Sequence, residues 1–456
     1  MKGPLPPPDW GKLIQDASTQ SPDRLIAILT RGIGPETNGQ YYHWDQLRHR
    51  PPPEGLSHEE WWLATKQARL AIRKKLELKD PNGKRFSLAL TEGLLRKLYQ
   101  MDRDAGGAIK AGGPMSAITS DENRDRYIIR TLVEEAITSS QLEGASSTTS
   151  EAKRMLRSGR KPRDRSEQMI LNNYRAMRFV RDNRDQRLSL EFVLELQRIV
   201  TENALDDPSA SGRWRNADED IFVADNRDGT VLYRPPSAEL IEERMSHLIE
   251  FANSEQDDSF IHPIIQATIL HFMLSYEHPF VDGNGRTARA LFYWFMSRSG
   301  YWLMEFLSIS KFLKQAPASY ASAFLFVETD ENDLTYFLHH QFGIILQSIE
   351  GLHEYLSRKT EELQQTEKLL RGPIQKVLNH RQVALVAHAL KNTNELYDIR
   401  SHQMSHGITY QTARTDLLGM EELGLLEKFK RGKAYVFQSP QDINGRISKI
   451  NKELSV

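Results

Sequence analysis

Within twelve residues, His278-Pro-Phe-Val-Asp-Gly-Asn-Gly-Arg-Thr-Ala-Arg289, the chain collects an imidazole, one carboxylate, two glycines and two guanidiniums. Near neutral pH an imidazole such as His278 is uncharged and can take a proton from a hydroxyl. Gly283 and Gly285 let the backbone approach a ligand closely and turn its N–H groups outward. At a helix start, such amides and the helix dipole form a nest for phosphate. Helix N-termini favour Asp or Glu, yet Arg286 and Arg289 stand here three apart on one face, and an anion between them would resolve the conflict. Asp282, the lone carboxylate, then fits a ligand to Mg²⁺, which takes one or two carboxylates plus phosphate oxygens. Taken singly each part has a plainer reading: a turn, a core histidine, a solvated arginine face. Their order and company point to chemistry on a phosphate ester.

Two helices must hold this loop. Residues Ile264 to Glu277 are apolar nearly all round, which reads as a buried central helix ended by Pro279. A second helix starts near Asn284, with Leu291, Trp294 and Phe295 at helical spacing and a stop at Gly300. Upstream, residues 121 to 144 form a helix that ends Thr138-Ser-Ser-Gln-Leu-Glu-Gly144, with Gly144 as a C-cap. Ser139 and Glu143, four apart, share one of its faces.

His278-x-Phe280-x-Asp282-Gly283-Asn284-Gly285-Arg286-x-x-Arg289 resembles the complete signature of the Fic (filamentation induced by cAMP) family, whose members mostly transfer AMP from ATP to a protein hydroxyl. The resemblance implies a mainly α, Fic-type helical bundle with a β-hairpin flap. It implies that His278 is the general base, that Asp282 holds Mg²⁺, and that Asn284 and the loop amides of Gly283 and Gly285 bind the α-phosphate region. Arg286 and Arg289 would hold the β- and γ-phosphates. Doc-type relatives, which phosphorylate instead, have Lys where this chain has Gly285, and the Gly form favours nucleotidyl transfer.

Ser139-x-x-x-Glu143-Gly144 resembles the inhibitory motif of the same family, in which the Glu pairs with the second arginine of the signature. A Glu143–Arg289 pair would occupy the guanidinium that the γ-phosphate needs, so ATP would bind in an unproductive pose. The flap is expected at 218–236: Ile221-Phe-Val223 and Thr230 to Tyr233 are β-prone runs joined by the turn-rich stretch 225–229. The plain alternative is a surface hairpin. As a flap, its edge strand Ile221, Phe222 and Val223 would register an extended target segment by strand addition.

Composition sets the frame. Hydrophobic residues make up 39% of 456, enough for ordinary cores. A net charge of −1 gives no global bias toward nucleic acid or membrane. With no cysteine, disulfides, thiol catalysis and thiolate metal sites are excluded. The Pro-rich start lacks the apolar run of a signal peptide and no stretch reaches membrane-span length, so the expectation is a cytoplasmic protein.

Residues 1–115 read as a helical N-terminal domain, with helices between Ser57 and Leu78 and from Thr91 to Met101, and a Gly-rich boundary at 106–114. Residues 116–346 form the Fic core, in which Leu307 to Tyr320 and Asp333 to Leu346 are helical. Asn332-Asp-Leu-Thr335 resembles a recurring feature of the family's later helices. His339 and His340 are adjacent, do not share a helix face and have no carboxylate cluster with them, which argues against a metal. Residues 347–372 are a charged helical connector. Residues 373–456 read as a winged helix-turn-helix: helices over Val383 to Leu390, Leu396 to Met404 and Thr409 to Leu417, strands at Leu425 to Lys428 and Ala434 to Phe437, and a basic wing tip at 430–433. From residue 371 onward there are thirteen Lys/Arg against eight Asp/Glu, a net of +5 against −6 for the rest. DNA-backbone attraction requires such a contrast, and Tyr410, Gln411 and Arg414 would face the groove. Such modules also serve protein contacts.

The leading expectation is a protein adenylyltransferase using ATP and Mg²⁺ on a Tyr, Thr or Ser hydroxyl of a target protein or of itself, held off by Glu143. Two alternatives stay open: a hydrolase in which Glu143 positions water to remove AMP, and a DNA-binding regulator whose Fic core only senses nucleotide. An intact His278 argues against a pure sensor, which needs phosphate contacts but no base. The resemblance also implies a homodimer as one arrangement, although no self-complementary patch in the sequence requires it.

Overall fold

A computed structural model describes residues 3–106, 121–224, 229–254, 260–369, 374, 377–391, 395–431 and 434–454. The protein is mainly helical, and among the described residues its strands form three small antiparallel sheets. It divides into two compact units, one made of Met1–Gly107, Thr131–Ser147 and Pro162–Ile349, the other of Ala108–Arg130, Thr148–Lys161 and Glu350–Val456. Among the described residues no helix is long and apolar enough to cross a membrane.

At the centre of the first unit, the helices Pro263–Glu277 and Asn284–Arg298 pack against each other along nearly their whole length. The first is buried on every face, as its all-round apolar sequence requires, and Pro263 opens it at a position where a missing N–H costs nothing. Helices Arg165–Asp182 and Leu190–Thr201 pack on each other and on Asn284–Arg298. The helix Ile241–Asn253 is tied to the end of the central helix by Arg244, which makes a bidentate contact with the buried Glu277 carboxylate at 2.6 and 2.7 Å.

The expected N-terminal domain does not stand apart, because residues up to Gly107 belong to the same unit as the core. Charged and aromatic groups sealed between them explain why. Lys66 pairs with Asp330 with both side chains inaccessible, Arg69 donates to Tyr336 at 2.7 Å, and Tyr41 donates to Asp333 at 2.6 Å. Asp333 also accepts from the Thr335 N–H, so the Asn332-Asp-Leu-Thr335 stretch caps the last long helix while it takes in the N-terminal region.

Several expected elements are redrawn. The helix from Ser57 stops at Ala71, and Arg73–Lys79 is a strand paired with Arg85–Ala89. Leu76 and Leu78 alternate inward there, a period of two that the helical reading overrode. The helix expected over Leu307 to Tyr320 is two, Ile309–Leu313 and Pro317–Thr329, because Pro317 can open a helix but not continue one. The connector has no start of its own: a single helix runs Thr335–Leu369, and the units divide after Ile349 rather than at 346. The Gly-rich boundary at 107–114 and the turn at 225–228 lie outside the described residues.

In the second unit, helices His380–Lys391, Ile399–His406 and Tyr410–Glu422 pack with a sheet whose strand order is Leu396–Asp398, Ala434–Gln438, Glu427–Arg431. Residues 396–398 are a strand where a helix was expected, and Asp398 caps the helix that follows. Asp416 pins the three helices from within, accepting from Arg381 at 2.7 Å and Asn379 at 2.8 Å and lying 3.1 Å from His402. A closing helix, Ile443–Glu453, seats Ile443 and Ile447 in this core and was not anticipated.

Removing one partner of a sealed ion pair leaves the other charged and unsolvated, at a cost of about 3–5 kcal/mol. Lys66→Ala should therefore lower the urea midpoint of the first unit's unfolding strongly. Arg85→Ala, which loses an exposed pair with Glu77, should leave it nearly unchanged.

Candidate active site

His278 is the C-cap of the central helix and adopts the left-handed conformation, φ +45°, which side chains larger than glycine rarely hold. Two sets of contacts keep it there. Its own N–H bonds Leu274 O at 3.1 Å, and Arg215 donates from Nε to the His278 carbonyl at 2.9 Å. Arg215 also donates from Nη2 to Pro236 O and from its backbone N–H to Pro279 O, so one side chain ties both ends of the 218–236 segment to the turn. The imidazole Nδ1 lies 3.2 Å from Ser275 O, a contact that only a protonated Nδ1 can make, which leaves Nε2 as the lone-pair nitrogen. Burial pushes the His278 pKa below the ordinary histidine value, against the opposing pull of Ser275 O and Glu143. The ring is thus a neutral base.

The loop that follows is braced from inside. Asn284 accepts the Phe280 N–H at 3.0 Å and donates to Phe280 O at 2.8 Å, so its side chain is spent on closing the turn rather than turned outward. Phe280 is buried and stacks on Trp214, centroids 5.1 Å apart. Gly283 caps the next helix at φ +87°, and a Cβ there would press on Thr201 and Val200, so both space and backbone conformation require glycine. Gln197 donates to Asp282 O at 3.1 Å and accepts from Gly212 N–H, joining the helix Leu190–Thr201 to both sides of the loop.

The two arginines differ in what they do. Arg286 turns fully inward, donating to Val200 O at 3.1 Å and to Asp282 Oδ1 at 3.1 Å. Asp282 Oδ1 also takes the Gly283 N–H, while Oδ2 of this carboxylate, about one-third exposed, faces Arg165 Nη2 at 3.7 Å. Arg289 is equally buried. Its Nε donates to Ser139 Oγ at 2.8 Å, and its Nη2 donates to Ser139 O at 3.2 Å and to Glu143 Oε1 at 2.8 Å. Burial opposes the Arg289 charge, but Glu143, with Tyr320 and Glu135, together more than offset it, and its pKa lies above the ordinary arginine value.

Glu143 comes from the end of the helix Asp121–Leu142, just ahead of Gly144 at φ +96°. Its carboxylate lies directly over Gly285, where any Cβ would collide with it. Gly285, Arg289 and Tyr293 recur every four residues and make one stripe on the helix Asn284–Arg298. Glu143, Ser139 and Glu135 make the facing stripe, with Tyr293 donating to Glu135 at 3.1 Å.

The flap is shorter than expected: Val223–Ala224 pairs with Val231–Tyr233. Ile221 and Phe222 precede the ladder, because the Ile221 N–H is already bonded to Glu219 O in a local turn, and Phe222 is exposed. Of the three residues expected on the docking strand, only Val223 is in it. Tyr233 anchors the other strand, donating to Tyr276 O at 2.8 Å.

Residues 187–296 match the model of the Fic/DOC family. A protein adenylyltransferase fic-1 of Caenorhabditis elegans is 37% identical over 114 residues, 25% of this chain and 20% of that protein. A protein adenylyltransferase Fic of Drosophila grimshawi is 35% identical over 134 residues, 29% of this chain and 25% of that protein. A solved Fic family protein from Desulfovibrio desulfuricans G20 aligns over 77% of this chain and 97% of that one, at 16% identity and a TM-score of 0.47. The Fic/DOC family match thus spans residues 187–296 and includes the whole signature loop. The alignments with the two adenylyltransferases span a quarter or less of the length of either.

Four residues that hold the site were not singled out from sequence: Arg215, Gln197, Thr201 and Glu135. Each acts through a backbone or buried contact distant in the chain and carries no local pattern.

The geometry gives a direct check on His278. In a labelled-histidine NMR titration its ring should carry the proton on Nδ1 at neutral pH and take up the second proton only below pH about 6.5, the ordinary histidine value. A pKa above that value would contradict the neutral-base assignment.

Proposed function

We propose that the protein is a protein adenylyltransferase that moves AMP from ATP to a hydroxyl of a protein target, and that Glu143 holds it off. One observation supports this above all: the signature carries both a neutral imidazole held in a strained turn and a buried arginine whose Nη2 is already paired with a carboxylate of the same chain. The names borne by the relatives that share the signature agree with it.

In this reading His278 Nε2 takes the proton of a Tyr, Thr or Ser hydroxyl, whose oxygen attacks the α-phosphorus in line as pyrophosphate departs. The N–H groups of the first turn from Asn284 have no carbonyl within their own helix to bond and suit the α-phosphate oxygens. Arg289 stabilises the departing charge once Glu143 has moved aside. Arg286, sealed against Val200 and Asp282, keeps the loop in shape and orients the carboxylate. The second Asp282 oxygen, part-exposed and paired with the half-exposed Arg165, would be the single-carboxylate ligand to Mg²⁺, which when bound would neutralise phosphate charge. The segment around Val223 would register the target chain.

Glu143 is also placed to orient water, and its one-third exposure keeps the hydrolytic alternative in play. The winged-helix reading of the second unit rests on its helix–strand–helix–helix–strand–strand order and on the exposure of Tyr410, Gln411 and Arg414 at the start of one helix. DNA is the partner we propose for that face. A cytoplasmic location and a dimer remain proposals carried over from the sequence.

Incubation with α-labelled ATP and Mg²⁺ tests the main reading. Glu143→Gly should label itself or a target at least tenfold more than wild type, and His278→Ala should lose that label in the Glu143→Gly background. Absence of label from every variant and candidate target would remove the transferase; Glu143-dependent release of AMP from a premodified protein would install the hydrolase instead. For DNA, binding by the full chain should weaken steeply with salt and with Arg414→Ala. Salt-insensitive binding would count against it.

A further inference from the structure

Glu135 lies two turns before Glu143 on the same face of the helix Asp121–Leu142, and it is a fully buried carboxylate. It accepts from Ser308 Oγ at 2.9 Å, from the Ser310 N–H at 3.1 Å, from Tyr293 OH at 3.1 Å, and from Ser310 Oγ. Burying a carboxylate is costly unless its oxygens are bonded, and here the start of the helix Ile309–Leu313 and the signature helix supply four donors. Nothing in the proposed reaction uses this group. Charge–dipole contacts of that quality fix a helix against sliding or turning, since a shift of one residue would strand all four donors.

The rest of the helix is fastened in the same direction. Leu132, Val133, Ala136 and Ile137 are buried, Thr131 donates to Phe306 O, and Asn173 donates to Ala136 O. The buried fastening ends at Ser140, which donates to Met169 O at 3.2 Å. The last residues, with Glu143 and Gly144 exposed, carry backbone turns, the Gln141 contacts with Ser147 and with an exposed Lys314, and the Glu143 pair with Arg289.

We propose that Glu135 is the positioning residue of the inhibitory contact: it sets the register that lays Glu143 over Gly285 and against Arg289, and relief of inhibition takes place in the last turn while the helix stays docked. This rests on reading Glu143 as inhibitory. The device works by geometry, because Glu135, Ser139 and Glu143 meet Tyr293, Arg289 and Gly285 in one antiparallel zipper, and fixing one end fixes the other.

The test uses the full chain in four forms: wild type, Glu135→Gln, Glu143→Gly and the double variant, with Ser310→Ala as a milder cut at the same contact. Self-labelling from α-labelled ATP and hydrogen exchange of residues 139–144 are read together. Glu135→Gln should raise basal labelling about three- to tenfold and speed exchange in the last turn. Ser310→Ala should do the same to a smaller extent, and Glu135→Gln should add nothing in the Glu143→Gly background. Labelling that stays at the wild-type level in both Glu135→Gln and Ser310→Ala, or that falls equally in both backgrounds, overturns the proposal. Exchange that speeds along the whole helix rather than in its last turn overturns the docked-helix part. If Glu143→Gly itself shows no label, the inhibitory reading fails instead, and unchanged exchange at 139–144 in Glu135→Gln would still count against Glu135.

Discussion

A guanidinium sealed away from water must have anions or carbonyls around it, and Arg289 meets that demand with groups from a helix remote in sequence. Ser139 supplies a hydroxyl and a carbonyl, and Glu143 supplies the charge. In the proposed reaction the same guanidinium needs a phosphate. The internal carboxylate and the nucleotide therefore compete for one cation. In that reading, the contact that satisfies the buried charge is also the one that restrains the enzyme.

The remainder of the site answers a second constraint, the left-handed turn at His278. Such a turn persists only when its surroundings over-determine it. Arg215 from the flap base, the Glu277–Arg244 pair just before it and the Asn284 bracket just after it do so from three sides. The flap base and the imidazole are thereby parts of one frame, so whatever the flap registers is registered relative to the base.

Legibility in the sequence differed by element for identifiable reasons. The signature loop could be read because its residues act on one another locally: Asn284 reaches four residues back, and Gly283 needs its φ wherever it stands. The pairing of the helix Asp121–Leu142 with the signature could be read because Ser139 and Glu143 keep helical spacing. The strand Arg73–Lys79 was lost to a helical pattern that ran into it, and the flap began later than its β-prone residues suggested because Glu219 took the Ile221 N–H first. Arg215, Gln197 and Glu135 looked like any surface-capable polar residue until the fold enclosed them.

The sequence by itself determined the chemistry on offer: an imidazole, two glycines, a carboxylate and two arginines in one bend between two helices, with a Ser and a Glu on one face of a third. Only the tertiary structure decided how these were used. It turned Arg286 inward as a brace and left Arg289 to face Ser139 and Glu143. It also closed the N-terminal region onto the core through Lys66 and Asp330. The reason is physical: residue type and spacing fix what a group can donate or accept, whereas burial, which sets the strength of each charge and the partner it must find, depends on segments that meet only when the chain folds.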